Sequence, residues 1–349
     1  MTENVRIRLV LSLVVLLVIV CASAVYYYTY RSFQDSGQRL KVSVLYRGGR
    51  GDAYNDMALT GAYRTVKAFR DRVAVREVKT LDYGNNQEFI LRLQAQSEAD
   101  LIICVGYDYV DAVRAVAKEY PRTKYVVVDG YIPRLIPEDN ITCIMFRERE
   151  GAFLMGAAAA LRSQTGIIGF LGGAHSTFIQ IFENGYLAGA RYIKPEITVL
   201  ADYIGEDGRA FNDPEKAFQL SVSQYAAGAD VIFHAAGASG LGLLDAAASQ
   251  RRLMIGVDSD QSLTAHGEQR QYILTSMMKR VDNAVYNVID RAVHGSLHGG
   301  YYEFGLKEGG IGYAENQYNS PLLQPIKSAI EEIRKKIIAG EIVLPARSK

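Results

Sequence analysis

The chain has 349 residues, 49% of them apolar, with a formal net charge of +1. That length suits one large domain or two lobes, and the balanced charge gives no footprint for nucleic acid or for an acidic partner. Three cysteines without metal or redox spacing, Cys21, Cys104 and Cys143, point neither to a zinc site nor to a thiol-disulfide motif, and read as small buried apolar residues.

The chain opens with an address. Arg6 and Arg8 precede an apolar run from Leu9 to Val25, which four tyrosines and Arg31 follow. Ala22-Ser23-Ala24 offers the small-x-small exit of a secretory signal. The run is also near the lower length for an uncleaved anchor, with Tyr26 to Tyr30 as an interfacial belt. A lipoprotein would be cut before Cys21, where Val20 is bulky for that processing. All three readings export the rest of the chain, and residues 1–30 are set aside as signal peptide or membrane anchor.

From Lys41 onward, apolar strands alternate with helix-length segments. "KVSVLY" precedes a helix over about 55–69, and "VAVREV" precedes one over 87–96. "DLIICVG", "KYVVVDG" and "ITCIMF" follow as strands, then "REREGAFLMGAAAALR" as a helix with small residues on one side. "TGIIGFLGG", "ITVLADYIG", "ADVIFHAAG" and "RLMIGVD" continue the alternation, with Asn212 or Asp213 capping a helix that begins at Pro214. Strands bare of polar residues between helices predict parallel sheets covered on both faces. About ten strands are too many for one comfortable open sheet. Two consecutive α/β halves, divided near Ile141 to Glu150, fit better. The final "IKSAIEEIRKKIIAGEI" predicts an amphipathic helix packed on a lobe.

In such sheets ligands sit beyond the C-terminal ends of the strands. "RGGRGDAYND", "GYDYVD", "LGGAHSTF", "HAAGASG" and "DSDQ" stand there, rich in polar, aromatic and glycine residues. The last raises the sharpest question, because Asp258 and Asp260 end an apolar strand. A divalent cation is one answer, but no further carboxylate or histidine cluster supports it, and no cofactor is implied. No Gly-x-Ser-x-Gly elbow and no phosphate-cradling Gly-Lys-Ser/Thr run occurs. His175 and His234 lie at strand ends and are open to either a cleft role or a supporting one. Sugar hydroxyls are the remaining answer: a carboxylate accepts two hydrogen bonds in one plane, which suits a vicinal diol. Lys279, closing "QYILTSMMK", is placed to donate to the same sugar. Asn55 and Asp111 suit the edge of a base, and Tyr54, Phe182 and Phe233 suit its flat faces.

These motifs together resemble the basic membrane protein family, which includes purine-nucleoside receptor lipoproteins of ABC importers. The resemblance runs from "KVSVLYRGGRGDAYND" through "FENGYLAGARYIKP", "GADVIFHAAGASGLG" and "IGVDSDQ" to "ILTSMMKRVDNAVY". It implies a type I periplasmic binding protein fold, two doubly wound parallel-sheet lobes joined by a hinge. Lobe 1 is expected over 40–146, completed by about 273–320, lobe 2 over 147–272, and a C-terminal helix and tail over 321–349. The resemblance implies that Asn55 bonds the base, that Asp56 or Asp52 supports the loop, and that Asp111 lies opposite the base edge. Phe182 and Phe233 stack, Gly237 brings backbone to the ribose, Asp258 takes the ribose hydroxyls and Lys279 completes that end. Asp260 braces the turn. The family often has Ser-Phe-Asn-Asp where this chain has Ala53-Tyr54-Asn55-Asp56, so the added hydroxyl bears on base preference. The expected role is capture of adenosine, guanosine or inosine in an interlobe cleft and delivery to ABC permease subunits at the outer face of the membrane. A membrane-tethered nucleoside sensor and a metal-assisted nucleoside or nucleotide-sugar enzyme are the competing readings.

Overall fold

The structure is a computed structural model that describes residues 39–47, 53–80 and 86–344. The apolar leader and its three processing alternatives lie outside the described residues, as do Asp52 and the chain's last five residues. No helix among the described residues is long and apolar enough to cross a membrane.

The chain divides into two units. The first holds the described part of Met1–Cys143 together with Val285–Tyr301; the second holds Ile144–Ala284 and Tyr302–Lys349. In chain order the first unit carries β1 (Leu40–Arg47), α1 (Ala53–Phe69), β2 (Val73–Thr80), α2 (Gln87–Gln96), β3 (Leu101–Val105), α3 (Val110–Val116), β4 (Lys124–Val128) and the start of β5 (Ile141–Phe146). The second begins inside β5 and carries α4 (Glu148–Arg162), β6 (Ile167–Ala174), α5 (Thr177–Ile193), β7 (Thr198–Gly205), α6 (Pro214–Ala226), β8 (Val231–Ala235) and α7 (Gly240–Gln250). It continues with β9 (Leu253–Asp258), the single turn α8 (Gln261–Thr264) and β10 (Ile273–Lys279), and later adds β12 (Ile311–Tyr313) and α10 (Ser320–Ile338). Between them α9 (Val281–Val293) and β11 (Gly300–Phe304) take the chain into the first unit and back.

The strands form two six-stranded sheets, ordered β11-β5-β4-β3-β1-β2 and β12-β10-β9-β8-β6-β7. In the first, β1 pairs in parallel with β2 on one side and with β3 on the other, Val44 opposite Ile103. In the second, β6 holds the same position between β7 and β8, Phe170 opposite Phe233. The order reverses at β1 and at β6, and such reversals open a crevice at the strands' C-terminal ends. The strands read as unbroken apolar runs because both faces are covered; Leu45, Ile102, Tyr125 and Val127 are wholly buried in the first core, and Leu171, Ile232 and Met254 in the second.

The return to the first unit is narrower than the sequence suggested. Only α9 after Ala284 and the first part of β11 return, whereas the expected segment ran over 273–320. The reason is strand pairing: β10 adds in parallel to β9, with Met277 opposite Val257, and β12 closes antiparallel on β10. A run such as "ILTSMM" is equally suited to either sheet, and its sequence does not say which edge it joins. The C-terminal helix belongs to the second unit, burying Leu323, Ile326, Ile330, Ile333 and Ile337 along one stripe.

Small residues set the approach of α4 and α5. A Cβ on Gly189 would lie 1.9 Å from the Phe153 carbonyl oxygen, and one on Gly156 1.9 Å from that of Tyr186. The helices touch backbone to backbone, which explains the small-residue side of "EGAFLMGAAAA". Asp213 caps α6 by accepting from Lys216 N at 3.0 Å, with Pro214 in the first turn. Ser176 caps α5 through Ile179 N at 3.3 Å, which places the helix start directly after the β6 strand end.

Candidate functional site

Most of the candidate side chains stand at the C-terminal heads of the two sheets. In the first unit β1 ends at Arg47, whose guanidinium meets Asp108 at 2.5 Å; both side chains are largely buried. Gln87 also donates to Asp108, at 2.8 Å. Gly106, at φ +122°, turns the chain from β3 toward Asp108; a Cβ there would lie 2.6 Å from the Asp108 carboxylate. Asn55 is buried and donates to the Arg47 carbonyl at 2.7 Å, tying the start of α1 to the end of β1. Tyr54, beside it, donates its hydroxyl to Asp129 at 2.5 Å. The Tyr54 hydroxyl is therefore bonded to a carboxylate at the next strand end but one. Asp56 is half-buried in the same turn. Asp111 stands apart: its side chain is 95% exposed, and it meets Arg114 at 3.8 Å.

In the second unit, Asp258 closes β9 with φ +66°. Aspartate tolerates this left-handed conformation better than most residues, but the turn still directs a half-buried carboxylate away from the strand line. Met278 lies opposite Asp258 in the ladder, so Lys279 ends the neighbouring strand one residue further along. Lys279 is 3% exposed and meets Glu148 at 3.1 Å, a partner buried to the same degree. Its ammonium also lies 4.9 Å from the Phe146 ring centre and 5.4 Å from that of Phe178. A cavity of about 360 Å³ lies on the Glu148 side, with Phe146, Glu148, Ile181 and Glu303 in its wall. Gly237 opens the turn after β8 at φ +55°, backbone exposed, with Phe211 packed against it. Asp260 braces the turn, as expected: it accepts from Ser262 N and Oγ at 3.1 and 2.6 Å and from Asn316 at 2.6 Å. Those contacts turn Asp260 toward the protein rather than into a shared cation site with Asp258. Among the described residues no group of three His, Cys, Asp or Glu converges as a metal site.

Two of the aromatic residues expected to stack on a ligand are buried. Phe233 is wholly buried on β8, its ring centre 5.9 Å from that of Phe170 and 5.3 Å from that of Tyr186. It packs in the core, where Phe170 opposite it on β6 and Tyr186 on α5 close over its ring. Phe182 is also buried and stands edge-on to Phe178, 5.7 Å away. Phe178, one turn earlier on α5 and 37% exposed, presents its ring beside Lys279.

The histidines divide. His175 is half-exposed and lies edge-on to Tyr203 at 4.5 Å, with Gln180 and Glu206 nearby. His234 is wholly buried, and its Nε2 meets Gln261 Oε1 at 3.1 Å. It supports the turn that carries Asp258 from beneath. Burial pulls its pKa down to about 4, against a smaller upward push from Gln261.

Sequence reasoning missed Asp129, Glu148 and Phe178. Asp129 was findable, since it directly follows the apolar "YVVV"; its φ of +61° matches the geometry of Asp258. Glu148 was hidden in the charged run "REREG", where nothing local separates the one buried acid from its exposed or half-buried neighbours.

Comparison with known proteins completes the reading. Residues 39–348 match the family described as ABC transporter substrate-binding protein PnrA-like. Basic membrane protein A2 of Borrelia garinii subsp. bavariensis is 34% identical over 311 residues, 87% of this chain and 88% of its own. A Lactococcus lactis subsp. cremoris protein named ABC transporter nucleoside-binding protein BmpA is 32% identical over 261 residues, 71% of each chain. A crystal structure of ABC transporter system solute-binding proteins from Aeropyrum pernix K1 aligns with TM-score 0.73 and 27% identity, covering 87% of this chain and 93% of that one. The paired parallel sheets are those of the type I periplasmic binding protein fold. With the family match spanning nearly all of the described residues, the chain belongs to the PnrA-like ABC transporter substrate-binding proteins, an extracytoplasmic family of binding proteins rather than enzymes.

Proposed function

We propose that this protein captures a purine nucleoside outside the cytoplasm and delivers it to an ABC permease, held at the membrane by its N-terminal apolar segment or by lipid. The observation that carries the reading is the placement of Asp258 and Lys279 at the ends of adjacent strands, with Met278 opposite Asp258 and Lys279 one residue further along. On the second unit, Asp258 takes the ribose hydroxyls, Lys279 donates to the same sugar, and Gly237 brings its backbone close. Phe178 supplies a flat apolar face, with Phe182 behind it. The first unit carries polar groups of its own at its strand heads, Asn55 and Asp129, suited to the edge of a base, with Tyr54 and Asp56 holding the turn and Asp111 exposed beside them. A relative at 32% identity bears the name nucleoside-binding protein, which favours this ligand class.

A stacked base contributes about 1–3 kcal/mol, and each charge-assisted hydrogen bond about 1.5–3 kcal/mol. Together these are enough for sub-micromolar affinity after conformational costs. Titration calorimetry with adenosine, guanosine and inosine tests the reading. Binding of at least one is expected; silence with all three overturns it. Loss of nucleoside uptake in cells lacking the protein tests delivery to the permease.

A further inference from the structure

Lys279 and Glu148 raise a question that ligand capture alone does not answer. Both are nearly without solvent contact, at 3% and 4% exposure, and they meet at 3.1 Å. A lone buried ammonium is costly and tends to shed its proton; a buried carboxylate alone is equally unfavourable. The fold goes to some length to bring them together. Glu148 opens α4, while Lys279 ends β10 more than a hundred residues later. Gly151 lets the first turn of α4 lie directly on β10, since a Cβ there would lie 2.7 Å from Met277 and from Ile311. Phe146 and Phe178 then flank the ammonium.

Resting on the nucleoside reading, we propose that Glu148 is a positioning residue, acting through Lys279 to fix and keep charged the ammonium that meets the sugar. A lysine side chain has four rotatable bonds and three donors. Glu148 takes one donor and so orients the group, and the two rings confine its stem. The pair is neutral overall, which leaves Asp258 as the negative charge that selects hydroxyl donors. The acid at 148 touches the lysine and sets its state, while the lysine touches the ligand.

The test uses the full chain with Glu148→Gln, Glu148→Asp, Lys279→Met and the Glu148→Gln/Lys279→Met double variant. Thermal unfolding without ligand comes first. Each single neutralisation takes an opposite charge away from a buried ionised group, so both should lower Tm, and the double variant should recover most of the loss. Calorimetry with adenosine, guanosine and inosine follows, from about pH 6 to about pH 9. The unmodified protein should bind with a nearly flat profile. Glu148→Gln should bind about tenfold or more weakly at neutral pH and weaken further as pH rises, because the buried ammonium loses the carboxylate that favours its charged form. Glu148→Asp keeps the charge and should keep the flat profile with a smaller loss. Unchanged affinity in Glu148→Gln, a loss equal at every pH, or no recovery in the double variant overturns the proposal. Silence of the unmodified protein with every nucleoside rejects the nucleoside reading alone, and the thermal cycle then decides whether Glu148 governs Lys279.

Discussion

Acid should weaken the second unit through one residue, His234. Its Nε2 faces the Gln261 carbonyl oxygen, which can only accept, so Nε2 carries the proton of the neutral ring. A second proton would go to Nδ1, a buried atom with no hydrogen-bond partner among the described residues. That explains why burial pulls the pKa down from 6.5 to about 4. Above pH 6.5 the ring is neutral in folded and unfolded chains alike, and it imposes no penalty. Below it, only the unfolded chain takes the proton, so stability falls as pH drops and levels off near the folded pKa. A gap of about two and a half pH units, at about 1.4 kcal/mol each, makes the full penalty about 3 kcal/mol. Denaturant unfolding of the unmodified protein and of His234→Gln from neutral pH to about pH 4.5 reads the difference. Carboxylates titrate in both proteins, so their contribution cancels. The unmodified protein should lose more stability than the variant, most of it below pH 6.5. Equal losses in the two proteins would refute the assignment of a neutral buried imidazole.

Other consequences are equally direct. Asp258→Asn keeps a residue that tolerates φ +66° and should leave Tm nearly unchanged. Weakening two charge-assisted bonds to neutral ones should cost about 2–3 kcal/mol, about 30- to 150-fold in nucleoside affinity by calorimetry. The loss should shrink for the 2′-deoxynucleoside, which offers one hydroxyl fewer. Gly189→Ala drives a methyl into the Phe153 carbonyl and should destabilise the second unit by about 1–3 kcal/mol, or more if α4 and α5 cannot separate, as read by thermal unfolding. Tyr54→Phe removes the bond to Asp129, leaving that carboxylate freer to accept. Guanosine and inosine, whose N1–H donates, should gain in affinity relative to adenosine, which a calorimetric comparison of the three would show.

The legible part of the fold was the local part. Apolar runs between turn residues located the strands, and Asp213 with Pro214 marked a helix start, because period, caps and breakers act over a few residues. Asp258, Lys279 and Gly237 were readable as strand-end residues for the same reason. What failed was pairing. "ILTSMM" joins the second sheet through contacts with residues far from it in sequence, and nothing within the run selects β9 as its neighbour. Phe233 and Phe178 show the same limit at the site. Both are aromatic residues near strand ends, yet one is sealed against Phe170 and Tyr186 while the other stands half open beside Lys279. Only the third dimension separates a sealed ring from an open one. Glu148 was invisible because its partner lies across the fold.

The most direct measurement is a crystal structure of the protein soaked with or copurified with a purine nucleoside. Ribose hydroxyls within hydrogen-bond distance of the Asp258 carboxylate, with the Lys279 ammonium on the same sugar, are the predicted result. Density for the nucleoside elsewhere, or a cation seated on Asp258 in its place, would contradict it.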